Sequence, residues 1–127
     1  MTFRHAAVWI DHVEAKIFHI EPEGFDVSRV KAPHHHVARK AHEQGRHAGS
    51  EEFFHQVATA LKDVEQVLVV GPSSGKLDFI RHVHRHDHAL TPKIVGVETL
   101  DHPTDNQIVA FVRHYFHAKD RFDGLVP

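Results

Sequence analysis

The chain contains no cysteine. That excludes disulfides, thiolate metal sites and thiol redox chemistry, and makes the cytoplasm the expected compartment. Long apolar runs are missing as well. The N-terminal "AAVWI" is five residues, too short for a signal-peptide core or a membrane span, so no membrane partner is expected. Charge of one sign does not dominate: the formal net charge is −2 with neutral histidines, so the molecule as a whole is no polycation. Internal repeats and a dividing linker are absent too. At 127 residues the chain can bury one core but not two, so a single domain over 1–127 is expected.

What is present in excess is histidine. Protonating all 16 would move the formal net charge from −2 to +14, so the electrostatics depend steeply on pH near the ordinary imidazole value of about 6.5. Five of these histidines lie in "APHHHVARKAHEQGRHAGS", residues 32–50, which has neither helical nor strand periodicity.

Around that segment the patterns are clear. "HAAVWID" (5–11) and "EAKIFHI" (14–20) are short runs rich in β-branched and aromatic residues, joined by a tight connection at Asp11 to Glu14 that reads as a hairpin. "FDVSRVK" (25–31) alternates as a third strand after the Pro22 and Gly24 break. A helix is expected from a Ser50 cap, with Phe53, Phe54, Val57, Leu61 and Val64 on one face. "QVLVV" (66–70) has the continuous apolar character of a strand buried on both faces. "GPSSG" (71–75) turns the chain into a helix from Lys76 to about Asp87, with Leu77, Ile80 and Val83 or His84 inward. "KIVGVE" (93–98) is a fifth strand. Thr104 and Gln107 then form a capping box ahead of Ile108, Phe111, Val112, Tyr115 and Phe116.

The order is β-β-β-α-β-α-β-α. Right-handed crossovers make the last two strands parallel, which gives an α/β, ribonuclease H-like fold: a mixed five-stranded sheet with helices on both faces.

Residues in this frame point toward four chemistries. A two-metal nuclease needs several carboxylates converging on ions about 4 Å apart. Asp11 and Glu51 or Glu52 are available, but the fourth strand ends in "VVGPSSG" without an acid, and Asp78 falls inside the next helix. Asp11 is therefore read as a hairpin residue. A phosphate loop requires four residues between its glycines and Ser/Thr after the lysine. Gly71 and Gly75 are separated by three and Leu77 follows Lys76, so an NTPase is not supported. The glycine turn with Lys76 remains a candidate weak anion site. In "RHVHRHDH" (81–88), His82 and His86 share a helix face at i, i+4, as do His84 and His88. Such a pair can chelate Zn²⁺ or Ni²⁺, which makes a histidine-based divalent metal-binding protein the alternative reading. Arg81 and Arg85 on the same helix oppose a cation there.

The fourth chemistry is the basic segment itself. Eighteen residues (32–49) without regular structure form a long connection for a compact domain, and nothing in them offsets the entropy of ordering, so mobility without a partner is expected. From Lys31 to Ser50, Lys31, Arg39, Lys40 and Arg46 stand against Glu43 alone, a formal charge of +3 that His34, His35, His36, His42 and His47 can raise to +8. No aromatic residue interrupts the segment. Phosphate contact is implied, base stacking and DNA specificity are not.

Several stretches then carry a family resemblance. "AVWIDHVEAKIFHI", the basic loop, "SEEFFHQVATAL", "VLVVGPSSGKLDFIRHV" and "DHPTDNQIVAFVRHYF" resemble, in order and over nearly the whole chain, the middle domain of the eukaryotic and archaeal peptide-chain release factor and its Pelota relatives. They resemble still more the small bacterial translational machinery proteins of that superfamily. The most specific piece is Gly71-Pro72 with Lys76 opening the next helix. The resemblance implies the ribonuclease H-like sheet without nuclease chemistry. It also implies that the loop after the third strand is the functional element. In release factors that loop carries Gly-Gly-Gln; here it reads "HEQGRHAGS", with Gln44-Gly45 reversed, so peptidyl-tRNA hydrolysis by that motif is not expected.

The function expected is thus a small stand-alone protein of the translation machinery, binding the ribosome, rRNA or tRNA through Lys31, His34, His35, His36, Arg39, Lys40, His42, Arg46, His47 and Lys76. No cofactor is required by this reading, and no catalytic residue is assigned. An RNA or tRNA hydrolase using a loop histidine as general base is a further alternative. Homo-oligomerisation is compatible with this reading.

Overall fold

The computed structural model describes residues 3–32 and 48–124. Within them lie β1 (Phe3–Ile10), β2 (Glu14–Glu21), β3 (Gly24–Lys31), α1 (Ala48–Ala60), β4 (Val64–Gly71), α2 (Gly75–His86), a 3-10 helix (His88–Lys93), β5 (Ile94–Thr99) and α3 (Asp105–Phe122). The five strands form one sheet in the order β3-β2-β1-β4-β5. β1–β2 and β2–β3 pair antiparallel, while β1–β4 and β4–β5 pair parallel. The mixed α/β sheet expected from the order of elements is the sheet observed.

The centre of the sheet is β1 beside β4, with Ala7 opposite Leu68 and Val8 opposite Val69. Both strands are apolar on both faces because both faces are covered. Ala6, Val8, Ile10, Val67 and Val69 pack under α1 and α2 with Phe53, Val57, Leu61, Phe79 and Val83. Ala7, Trp9, Leu68 and Val70 pack under α3 with Ile108, Val112 and Phe116. Each large apolar side chain buried this way stabilises by about 1.5–3 kcal/mol, and every residue of the runs "AAVWI" and "VLVV" is buried. β3, at the sheet edge, keeps the alternation of a half-covered strand: Phe25 and Val27 join the α3 side, and Val30 the other.

Four details depart from the sequence reading. Helix α1 begins at Ala48, so Ser50 lies inside the helix and is not its cap; helix ends are the least sharply encoded part of a helix pattern. Val64 opens β4 and does not extend the α1 face. Helix α2 is rotated from the expected phase. Lys76, Phe79, His82 and Val83 are the buried positions and Leu77 is 45 % exposed, because Phe79 and Val83 at i, i+4 take the core. His84 and His88 do not share a helix, since α2 ends at His86 and the chain continues as the 3-10 turn. The capping box on α3 is formed as expected: Thr104 accepts from the Gln107 amide and the Gln107 side chain accepts from the Thr104 amide.

Two glycines are needed for close approach at the end of β4. A Cβ on Gly71 would stand 2.2 Å from the Ile10 carbonyl oxygen, and one on Gly75 would stand 2.9 Å from the Asp11 carbonyl carbon. Gly24 has open space around it. Gly71→Ala should therefore cost about 2 kcal/mol or more, as overpacking does. Gly24→Ala should be neutral or slightly stabilising. Urea unfolding of the two variants checks this; equal midpoints would contradict the packing account.

Candidate functional site

Strands β1, β3, β4 and β5 all end at the same edge of the sheet, because β3 runs parallel to β1 through the intervening antiparallel β2. This carboxyl edge collects the 11–13 hairpin, the Gly71–Gly75 turn and the segment after Thr99. The backbone ties them together: the Ala32 amide donates to the Val13 carbonyl at 2.8 Å, and the Leu100 amide to the Gly71 carbonyl at 2.9 Å. The Trp9 indole Nε1 donates to the Asp101 carbonyl at 2.9 Å.

The basic segment is rooted here at both ends. It leaves from Lys31, exposed at the end of β3, and from Ala32, which packs against the α1 side of the core. It returns at Ala48, the start of α1. That helix runs from the carboxyl edge to the opposite one, where the Asp63 carbonyl accepts from the Phe3 amide at 2.9 Å and β4 begins. His34, His35, His36, Arg39, Lys40, His42, Arg46 and His47 lie outside the described residues, as does the stretch expected to be mobile apart from its ends.

The fixed acids of this edge have local partners. Asp78 pairs with Arg81 at 2.7 Å and with His12 at 3.3 Å. His102 pairs with Asp101 at 2.9 Å. Asp11 Oδ1 accepts from the Val13 and Glu14 amides at 2.8 and 2.9 Å, the side-chain turn that holds the hairpin. Lys76 does not project from the glycine turn. Its side chain is 7 % exposed, and its ammonium donates to the Ser73 carbonyl at 2.6 Å. The charge available to a phosphate backbone therefore sits on the basic segment more than on the turn beside it.

His82 and His86 share a face of α2, as their spacing predicts. The His82 and His86 rings lie near each other, with centroids 5.2 Å apart. The closer polar partners of His82 are elsewhere: its Nε2 is 2.7 Å from Asp87 Oδ2, and His55 Nδ1 of α1 is 3.0 Å from Asp87 Oδ1. Asp87 lies within "RHVHRHDH", directly after His86. His55 could not be assigned from sequence, because its nearness depends on how α1 packs on α2. Burial pushes the Asp87 carboxyl up, but hydrogen bonds from His55 and His82 and their charges outweigh it and hold the group below its ordinary value.

Comparison with known proteins supports the architecture. Neither a protein-family model nor a curated protein sequence matches the chain. Solved structures do. Archaeoglobus fulgidus Pelota is 17 % identical with a TM-score of 0.61, covering 94 % of this chain and 37 % of that one. The archaeal translation termination factor aRF1 is 14 % identical with a TM-score of 0.58, covering 94 % and 39 %. Saccharomyces cerevisiae Dom34, described as a translation termination-like factor involved in RNA quality control pathways and interacting with Hbs1, is 10 % identical with a TM-score of 0.63, covering 95 % and 35 %. The chain thus shares the fold of these proteins and spans between a third and two-fifths of their length. The fold resemblance expected from the sequence is found. Among the described residues no helix is long and apolar enough to cross a membrane.

The geometry assigns Asp11 to the hairpin. Asp11→Ala leaves two backbone amides without their acceptor and should cost about 1–2 kcal/mol. Asp11→Asn retains an acceptor oxygen and should cost clearly less. Chemical denaturation of both variants checks the order; equal losses would show that the charge, not the turn, is what the fold uses.

Proposed function

We propose that this chain is a translation-associated domain that binds ribosomal or transfer RNA in the cytoplasm through the basic segment 31–47, with contact mainly to phosphates. The observation that carries the reading is the rooting of both ends of that segment at one edge of the sheet. Fifteen residues separate Ala32 from Ala48 in the chain, and both of these flanking residues lie at that edge. Lys76 of the platform is engaged by the Ser73 carbonyl, which leaves the segment as the element that meets a polyanion.

The shared fold points the same way. Pelota, aRF1 and Dom34 include translation termination and termination-like factors by their descriptions, and a domain with their architecture fits a role beside the ribosome. The segment lacks Gly-Gly-Gln, so the reading is one of binding, with no hydrolytic step assigned to any residue. Lys76 serves the fold in this account: it holds the Gly71–Gly75 turn through Ser73.

Charge should drive the affinity. The logarithm of the binding constant should fall with the logarithm of salt concentration by about 0.7–0.9 per phosphate neutralised. Replacing Arg39, Lys40 and Arg46 together with Ala should flatten that slope by about 2–3 and weaken binding across unrelated RNA sequences, with the unfolding midpoint unchanged. Binding should strengthen as pH falls from about 7.5 to about 6, as segment histidines gain charge. Fluorescence anisotropy with short RNAs reads all three effects. A wild-type chain that binds neither RNA nor ribosomes at low salt at either pH would overturn the proposal.

A further inference from the structure

A second site lies on the α1–α2 face. We infer that His55, His82 and Asp87 form a binding site for one divalent transition-metal ion of the Zn²⁺, Ni²⁺ or Co²⁺ class, bridging α1 to the end of α2. One ligand atom from each residue lies within 4.8 Å of the other two, and among the described residues this is the one such group of three. The donor set is two imidazole nitrogens and a carboxylate oxygen. That set suits zinc, nickel and cobalt, whereas Mg²⁺ and Ca²⁺ favour oxygen ligands throughout.

Two of the three ligands are already fixed by the fold. His82 is 7 % exposed and packs against the Phe54 ring, centroids 5.6 Å apart. Asp87 is pinned on both sides of its backbone: its amide donates to the Val83 carbonyl at 3.0 Å and its carbonyl accepts from the Leu90 amide at 2.9 Å. His55, with its side chain 57 % exposed, is the third ligand and gives the ion a path from solvent. The present contacts of Asp87, 2.7 Å to His82 and 3.0 Å to His55, are hydrogen bonds. Ligands around a tetrahedral zinc with bonds of about 2.0–2.1 Å stand about 3.3 Å apart. An ion in place of those protons therefore asks the nitrogen–oxygen pairs to open to about 3.3 Å and the two imidazole nitrogens, now within 4.8 Å of each other, to take a similar spacing, a rearrangement the exposed His55 can supply.

The charges are compatible. The carboxylate is ionised and offsets half of the ion's charge. Of the two arginines on α2, Arg81 is engaged by Asp78 at 2.7 Å. One feature works against tight binding. His82 Nδ1 is buried without a partner, where a metal-bound histidine ordinarily donates that N–H to an acceptor. Either neutral tautomer leaves Nδ1 unpaired, however, so the fold carries much of that cost before any ion binds. His86 is not in the ligand set, although its ring neighbours His82.

Titration calorimetry with Zn²⁺ on the full chain tests the assignment, with Co²⁺ absorption as a second readout of coordination. Because histidines elsewhere could bind metal, the reference protein carries alanine at His34, His35, His36, His42 and His47. One ion per chain should still bind to it. His55→Ala and Asp87→Asn should each weaken that binding by at least about tenfold, while His86→Ala should leave it unchanged. His55→Ala removes an exposed side chain, so its effect is read on a folded protein, confirmed by circular dichroism. Loss of all binding in the reference protein would overturn the inference. So would retention in His55→Ala and Asp87→Asn, or a loss in His86→Ala equal to that in Asp87→Asn.

Discussion

Parallel pairing of β1 with β4 is the constraint on which the rest of this molecule depends. These two strands sit at the centre of the sheet, apolar on both faces, and neither can be covered until helices lie on each side. The close approach of Gly71 to Ile10 and of Gly75 to Asp11 lets the end of β4 turn directly into α2 beside the β1–β2 hairpin. A side chain at either position would push that turn away from the sheet. The carboxyl edge would then lose the compact platform formed by the hairpin, the glycine turn and the segment after β5.

The polarity of the sheet follows from the same pairing and separates the two ends of the domain. At the carboxyl edge the fixed acids are spent on neighbours: Asp11 on the hairpin amides, Asp78 on Arg81 and His12, Asp101 on His102. At the opposite edge, α1 hands over to β4 through Leu61–Asp63, and Lys93 donates to the Lys62 carbonyl at 2.8 Å. The chain enters and leaves its basic segment at the first of these edges. The proposed RNA contact is thereby placed at one end of the sheet, and the candidate metal ligands lie on a helix face apart from it.

Much of this was legible in the sequence, for physical reasons. Continuous apolar runs such as "VLVV" announce a strand covered on both sides, and the spacing of Ile108, Val112 and Phe116 behind Thr104 and Gln107 announces a capped amphipathic helix. The phase of α2 was legible only in part. Val83 is buried and Ile80 packs against the core edge as read, but Leu77 is turned to solvent because Phe79, at i, i+4 from Val83, takes the core space. Lys76 read as a surface cation; its long apolar stem and the Ser73 carbonyl allow it to be buried. The His55–Asp87 contact joins residues 32 apart in the chain, so no local pattern could supply it. The basic segment was legible as charge without periodicity, and that remains the description of it.

The central claim is that the carboxyl edge, through its basic segment, is the part of the domain that meets RNA. The most direct measurement is site-specific photocross-linking to ribosomes at low salt. A photoreactive residue would be placed at position 40 in the segment and, in a separate chain, at position 62 at the opposite edge. The account predicts salt-sensitive cross-links to ribosomal RNA from position 40 and little or none from position 62. Equal cross-linking from both, or cross-linking from position 62 alone, would contradict it.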